Sequence, residues 1–123
     1  MSENNTTIHD RLEDILESIN LIQEWVKGRN TVNDFMMSST GVMAFNACVM
    51  RLQVIGEHVG KLLSSSQKPL EAYQQIPWHA IYGLRNVISH EYANIDEVII
   101  VSVINNDLDP LKAAVEELLK KFI

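Results

Sequence analysis

Four side chains able to act on a phosphodiester stand within eight residues, Arg85-Asn86-Val87-Ile88-Ser89-His90-Glu91-Tyr92. Arginine grips phosphate through donors held in a fixed planar fork. Histidine exchanges protons near neutral pH. A guanidinium and an imidazole five positions apart, followed by the Tyr92 phenol, form a minimal set for breaking a P–O bond. Shuffling this composition gives Arg-x4-His-x-Tyr with an expectation of roughly 0.003. The pattern is therefore informative, and its context must add the rest.

On a helix, Asn86 and His90 lie one turn apart and share a face. His90 then falls in the last turn, where the helix dipole favours an imidazolium able to give a proton to a leaving oxygen. Its reference pKa of about 6.5 also allows the neutral ring to act as a base. For RNA the economical reaction is attack of the ribose 2′-OH on the adjacent phosphorus. That path needs proton transfer and a clamp on developing charge, which Arg85 would supply, with Asn86 orienting the phosphate or the His90 ring. No metal is required. A single histidine offers half of an acid–base pair, and a symmetric dimer would supply the other half.

Each residue also has a plainer reading, and singly that reading is the commoner one. Arg85 pairs with Glu57, Glu91 or Asp96; His90 is a helix-end residue stabilised by the dipole; Tyr92 anchors the following loop. Their joint occurrence shifts the balance toward chemistry. His9, His58, His79 and His90 show no metal-ligand spacing and accompany no cysteine cluster. Neither a metal nor a cofactor is expected. No glycine-rich phosphate loop is present, and Gly56-x3-Gly60 reads as close helix packing. Cys48 reads as a buried structural thiol.

The elements that must position this set are helices. Ile8, Leu12, Ile15, Leu16, Ile19, Ile22 and Val26 recur at three- and four-residue spacing, which predicts a helix over 7–27 stopped by Gly28. A polar connector follows over 30–39. A second helix is predicted over 41–63, its apolar stripe (Val42, Phe45, Val49, Leu52, Val59, Leu63) widened by Met43, Ala47, Met50 and Val54. So broad a stripe suits a central helix, or one covered on both sides by a second subunit. Glu57–Lys61 reads as an i,i+4 pair on its wet side. Pro77 opens a third helix over 78–90, and Asp96 is a plausible N-cap for the next. The β-branched run from Val98 to Ile104 favours a strand by propensity, yet no partner strand is visible and a lone strand is unstable. A buried helix is therefore expected there, broken at 105–109, with a last helix from Pro110. The predicted architecture is all-α, an up-and-down bundle of four to five helices.

At 123 residues the chain reads as a single domain over 1–123 with a flexible segment at 1–6. With 46% apolar residues it can bury a real core without metals or disulfides. The single cysteine fits a reducing, intracellular setting. The polar first residues lack the basic start and apolar run of a signal peptide, and no stretch reaches the ~18 apolar residues of a membrane span. A cytoplasmic protein without membrane contact is expected. A net charge of −6 argues against broad, charge-driven nucleic-acid binding. If RNA is the substrate, the chain handles a short local segment or assembles a basic surface.

The run Gly83-Leu84-Arg85-Asn86-Val87-Ile88-Ser89-His90-Glu91-Tyr92 resembles the signature of HepT-like proteins, a branch of the HEPN superfamily of α-helical ribonucleases. The similarity extends to Arg51–Glu57, which resembles the family's long second helix, to Ile76–Ala80 before the motif, and to Asn105–Leu111 before the last helix. It covers most of the chain from about Arg11 onward. The resemblance implies a HEPN-like, dimerising bundle and a metal-independent ribonuclease toxin of a toxin–antitoxin pair, with two Arg-x4-His motifs facing one cleft of a homodimer. By position Arg85 and His90 would be catalytic, with Asn86 assisting. The implied partners are an RNA substrate and a minimal nucleotidyltransferase antitoxin, which in such pairs can attach AMP to the motif tyrosine, here Tyr92. A non-catalytic helical module that binds a nucleotide, or docks the nucleotidyltransferase, is the alternative expectation.

Overall fold

In the computed structural model, residues 4–90 and 94–122 are described, with the backbone alone at Ser89 and His90. Six helices are found among them: α1 (Asn5–Val26), α2 (Val32–Met36), α3 (Ser39–Leu63), α4 (Trp78–His90), α5 (Glu97–Asn106) and α6 (Leu108–Lys121). The all-α expectation holds. The count exceeds four to five because the connector over 30–39 contains a short helix. Thr31 and Asp34 make it: each side chain accepts from the other's backbone N–H, a reciprocal cap that closes one extra turn. Asp34 also accepts from the Asn30 N–H, and these bonds hold its carboxyl below the usual range.

The longer helices start where their caps place them. Asn4 accepts from Thr7 N–H at 2.9 Å and starts α1. Of the N-terminal segment expected to be flexible, residues 1–3 lie outside the described residues, while Asn4 caps α1 and Asn5 and Thr6 begin it. Ser38 accepts from Gly41 N–H at 3.0 Å, starting α3 two residues earlier than periodicity predicts. Asp96 accepts from Val98 and Ile99 and caps α5, as its position suggested.

The centre of the bundle is α3, which packs against α1, α2 and α4, while α6 covers α1 and α5. One core joins them, built from Ile8, Leu12, Ile15, Ile19 and Ile22 of α1, Leu52, Ile55, Val59 and Leu62 of α3, and Leu111, Val115 and Leu118 of α6. Packing decides the β-branched run in favour of helix: Ile100, Val101 and Ile104 of α5 are buried. The expected full burial does not hold, because Val98 and Ile99 are 67% and 48% exposed. The widened stripe of α3 behaves similarly, with Met43 and Met50 standing 67% and 51% exposed. Segment 64–77 stays non-helical but tightly turned, and the buried Trp78 indole donates to the Tyr73 carbonyl at 2.9 Å, locking this loop onto the start of α4. No described helix is long and apolar enough to cross a membrane.

Candidate active site

The contact between α3 and α4 that carries Arg85 is a close one. A Cβ placed on Gly56 would lie 2.9 Å from the Arg85 Cβ and 3.2 Å from the Ile81 carbonyl oxygen. One turn on, a Cβ on Gly60 would meet the Tyr82 ring, 2.6 Å from its Cδ1. The two glycines thus clear a track along which α4 lies against the α3 backbone, the packing that Gly-x3-Gly suggested. Ile81, Leu84 and Ile88 bury the inner face of α4. Burial of that face turns Arg85 to the rim, where its side chain is 38% exposed.

The Arg85 Nη2 stands 3.9 Å from Glu57 Oε1, at the edge of ion-pair range and between half-exposed partners. One plain reading of Arg85 is thereby met, but such a pair is weak, worth on the order of 0–1 kcal/mol. It steers the guanidinium without consuming its donors. The expected Glu57–Lys61 pair does not form; Glu57 turns to Arg85 instead, and Lys61 makes no ion pair among the described residues. Glu57, Gly60, Lys61, Ser64, Tyr82 and Arg85 enclose a cleft of about 240 Å³. Lys61, Ser64 and Tyr82 were not picked out as site residues by sequence. The available signal was spacing: Tyr82 precedes Arg85 by three positions and Lys61 follows Glu57 by four, so each is its neighbour on a helix face.

Asn86 is exposed on α4 immediately after Arg85. The helix continues unbroken to His90, which places Asn86 and His90 one turn apart in backbone register. The His90 side chain and all of Tyr92 lie outside the described residues. Arg85 is therefore brought beside Glu57, with Asn86 next to it on the exposed side of α4.

Two other clusters of titratable groups are present. His58, on the α1 side of α3, has Nε2 3.3 Å from Asp14 Oδ2 and Nδ1 3.4 Å from Arg11 Nη1. The arginine can only donate, so Nδ1 accepts and the Nε2–H points to Asp14. Burial, the largest influence, holds the His58 pKa below its ordinary value. His9, Asp10 and Glu13 bring their ligand atoms within 4.8 Å of one another, a grouping that the histidine spacing did not signal. It sits on one exposed helix face and amounts to neighbouring side chains, His9 to Glu13 at 3.5 Å. Cys48 is fully buried, and burial pushes its thiol up to about 11, as befits a structural cysteine.

An all-helical bundle that carries Arg85 and His90 of an Arg-x4-His-x-Tyr sequence on its fourth helix can be compared with known proteins. A family model described as "Ribonuclease HepT-like" matches residues 15–118. The chain belongs to the HepT-like ribonuclease family. Three relatives agree. The chain is 30% identical over 105 residues to a "Putative RNase" of Methanocaldococcus jannaschii, covering 85% of this chain and 90% of that one. It is 33% identical over 110 residues to a "Putative RNase" of Caldanaerobacter subterraneus subsp. tengcongensis, with 89% and 92% covered. It is 30% identical over 111 residues to the "Probable ribonuclease HepT" of Thermococcus cleftensis, with 90% and 94% covered. No solved structure matches. In this HepT-like chain, family membership supports a ribonuclease, and the matched span includes both the α3 track and the motif on α4.

Proposed function

We propose that this HepT-like protein is a metal-independent RNA endonuclease acting through Arg85 and His90. The observation that carries the reading is the half-exposed Arg85 guanidinium, held on the rim of a cleft by α4, whose last residue is His90, in a chain of a ribonuclease family. A base takes the proton of a ribose 2′-OH, and the 2′-oxygen bonds to the adjacent phosphorus. The P–O5′ bond breaks, and His90 gives its proton to the departing 5′-oxygen. Arg85 balances the charge that grows on the non-bridging oxygens, and Asn86 orients the phosphate or the imidazole. The products end in a 2′,3′-cyclic phosphate and a 5′-hydroxyl.

The base is the His90 of a second copy in a homodimer. Support comes from the apolar side chains left uncovered. Met43, Met50 and Glu57 follow one another at seven-residue steps on α3, so the exposed methionines run in line with the residue beside Arg85. Val87, two positions after Arg85, is 46% exposed. Burying this stripe against its symmetry mate brings the two α4 helices together and gives both copies of the motif one shared cleft. Control of the activity follows the toxin–antitoxin pattern. A minimal nucleotidyltransferase partner attaches AMP to Tyr92, and the added charge and bulk beside His90 repel and exclude RNA.

The test is cleavage of a defined RNA in the presence of EDTA, with the products read by mass spectrometry. Wild type yields cyclic-phosphate ends, and Arg85→Ala and His90→Ala each lower the rate by a factor on the order of 10²–10⁴. Undiminished cleavage by His90→Ala overturns the assignment. A protein that binds RNA through Arg85 but cuts nothing is instead a non-catalytic nucleotide-binding module.

A further inference from the structure

Resting on the ribonuclease reading, we propose that the cleft between α3 and α4 is a second nucleotide subsite, in which Lys61 holds a phosphate neighbouring the one at Arg85 and the Tyr82 ring supports a base of single-stranded RNA.

The cleft has the parts such a site needs. Lys61 stands on α3 one turn beyond Glu57, about 6 Å along that helix, and lines the same cleft as Arg85 of α4. It is exposed and makes no hydrogen bond or ion pair among the described residues. Its ammonium therefore meets a phosphate without first breaking another contact. Tyr82 is half-buried, and its position is set by Gly60, where any side chain would occupy the ring's place. An aromatic ring fixed by packing beside two cations matches the stacking-plus-charge design of proteins that bind single strands. Ser64 completes the wall. Its hydroxyl donates to the Gly60 carbonyl at 3.1 Å, which leaves the oxygen lone pairs for a base or ribose donor. A cleft of about 240 Å³ suits one base-sized group rather than a whole folded RNA.

Charge decides the class of ligand. Arg85 and Lys61 against Glu57 leave the cleft at +1 in a chain of −6. Long duplexes would meet a repelling surface elsewhere, whereas a short flexible strand can place two phosphates at the cleft and keep the remainder in solvent. The stacking contact is tolerant of sequence, because every base has a π-face. The subsite thus favours unpaired RNA segments without reading a particular base.

The experiment measures binding separately from cutting. A fluorescent, fully 2′-O-methylated octanucleotide lacks the attacking hydroxyl and reports affinity by anisotropy over a salt series, using the intact protein. Lys61→Ala is expected to weaken binding and to lower the slope of log K against log salt by about 0.7, the signature of one lost phosphate contact to a single strand. Tyr82→Leu is expected to weaken binding about tenfold, while Tyr82→Phe binds as wild type, which separates stacking from folding defects. Circular dichroism confirms that each variant is folded. An unchanged salt slope in Lys61→Ala, or equal affinity of Tyr82→Leu and wild type, overturns the subsite even where the protein still cuts RNA. Losses in both variants with no cleavage of ordinary RNA uphold the subsite and sink the nuclease reading. Competition by AMP as tight as the octanucleotide's own binding overturns the strand assignment in favour of a free nucleotide.

Discussion

Replacing Gly56 by alanine tests whether the α3–α4 track positions Arg85. The new Cβ would stand 2.9 Å from the Arg85 Cβ, 3.2 Å from the Ile81 carbonyl oxygen and 3.3 Å from the Arg85 nitrogen. None of these atoms can rotate away, because two belong to the α4 backbone and the third is attached to it. Carbon atoms settle at about 3.5–4.0 Å, so α4 must retreat by roughly 0.6–1 Å. Forced repacking of this kind costs about 1–3 kcal/mol. Alanine returns about 0.8–1.0 kcal/mol in helix propensity. The net expectation is a loss of roughly 0–2 kcal/mol in urea denaturation at unchanged m-value, accompanied by a larger effect on chemistry. A 1 Å displacement of the guanidinium lowers the cleavage rate by about 10². Gly83, two residues before Arg85 on the same helix, is the control. A Cβ there meets nothing within 4 Å, so Gly83→Ala should stabilise by about 1 kcal/mol with little change in rate. If Gly56→Ala were stabilised by the full propensity gain and cut RNA normally, the packing argument would be wrong.

Three further outcomes follow from other parts of the structure. Cys48 is buried as the neutral thiol with its pKa raised from 9.0 to about 11, so its contribution is complete below pH 9 and is lost as pH climbs toward 11. Between pH 8 and pH 10.5 the unfolding free energy should fall by about 2 kcal/mol more in wild type than in Cys48→Ala, a difference that urea curves at the two pH values resolve. The folded-state pKa of His58 is lowered by burial, so the unfolded chain binds more protons just below pH 6.5. Its contribution is present above pH 6.5 and is lost as pH falls through the lowered value; His58→Gln should flatten the loss seen between pH 7.5 and pH 5. Trp78→Phe removes the donor to the buried Tyr73 carbonyl and should cost about 1–3 kcal/mol, read as a lower urea midpoint with the helical circular dichroism retained.

Much of this protein is local, and local features are legible in a sequence. Asp96, Pro77 and Gly28 mark helix boundaries through capping bonds and backbone preferences that involve only near neighbours. The helix predicted over 78–90 is found there as α4, and Arg85, Asn86 and His90 on it are picked out by residue type and spacing alone. The Thr31–Asp34 cap was equally local but lay inside a stretch too polar to show periodicity, so the short α2 escaped notice.

Contacts between distant segments decided the rest. The run from Val98 to Ile104 has strand propensity, and only the burial of Ile100, Val101 and Ile104 in the bundle makes it helix. Glu57 has Lys61 four residues away yet turns to Arg85, because Gly56 and Gly60 let α4 approach that side of α3. The same approach sets Tyr82 against α3 and creates a cleft that no single segment contains. Residue types and spacing thus determined which groups can do chemistry, since reactivity belongs to the side chain. Where the Arg85 guanidinium sits, and which neighbours share its cleft, was decided by helix packing, since those distances exist only once α3 and α4 have met.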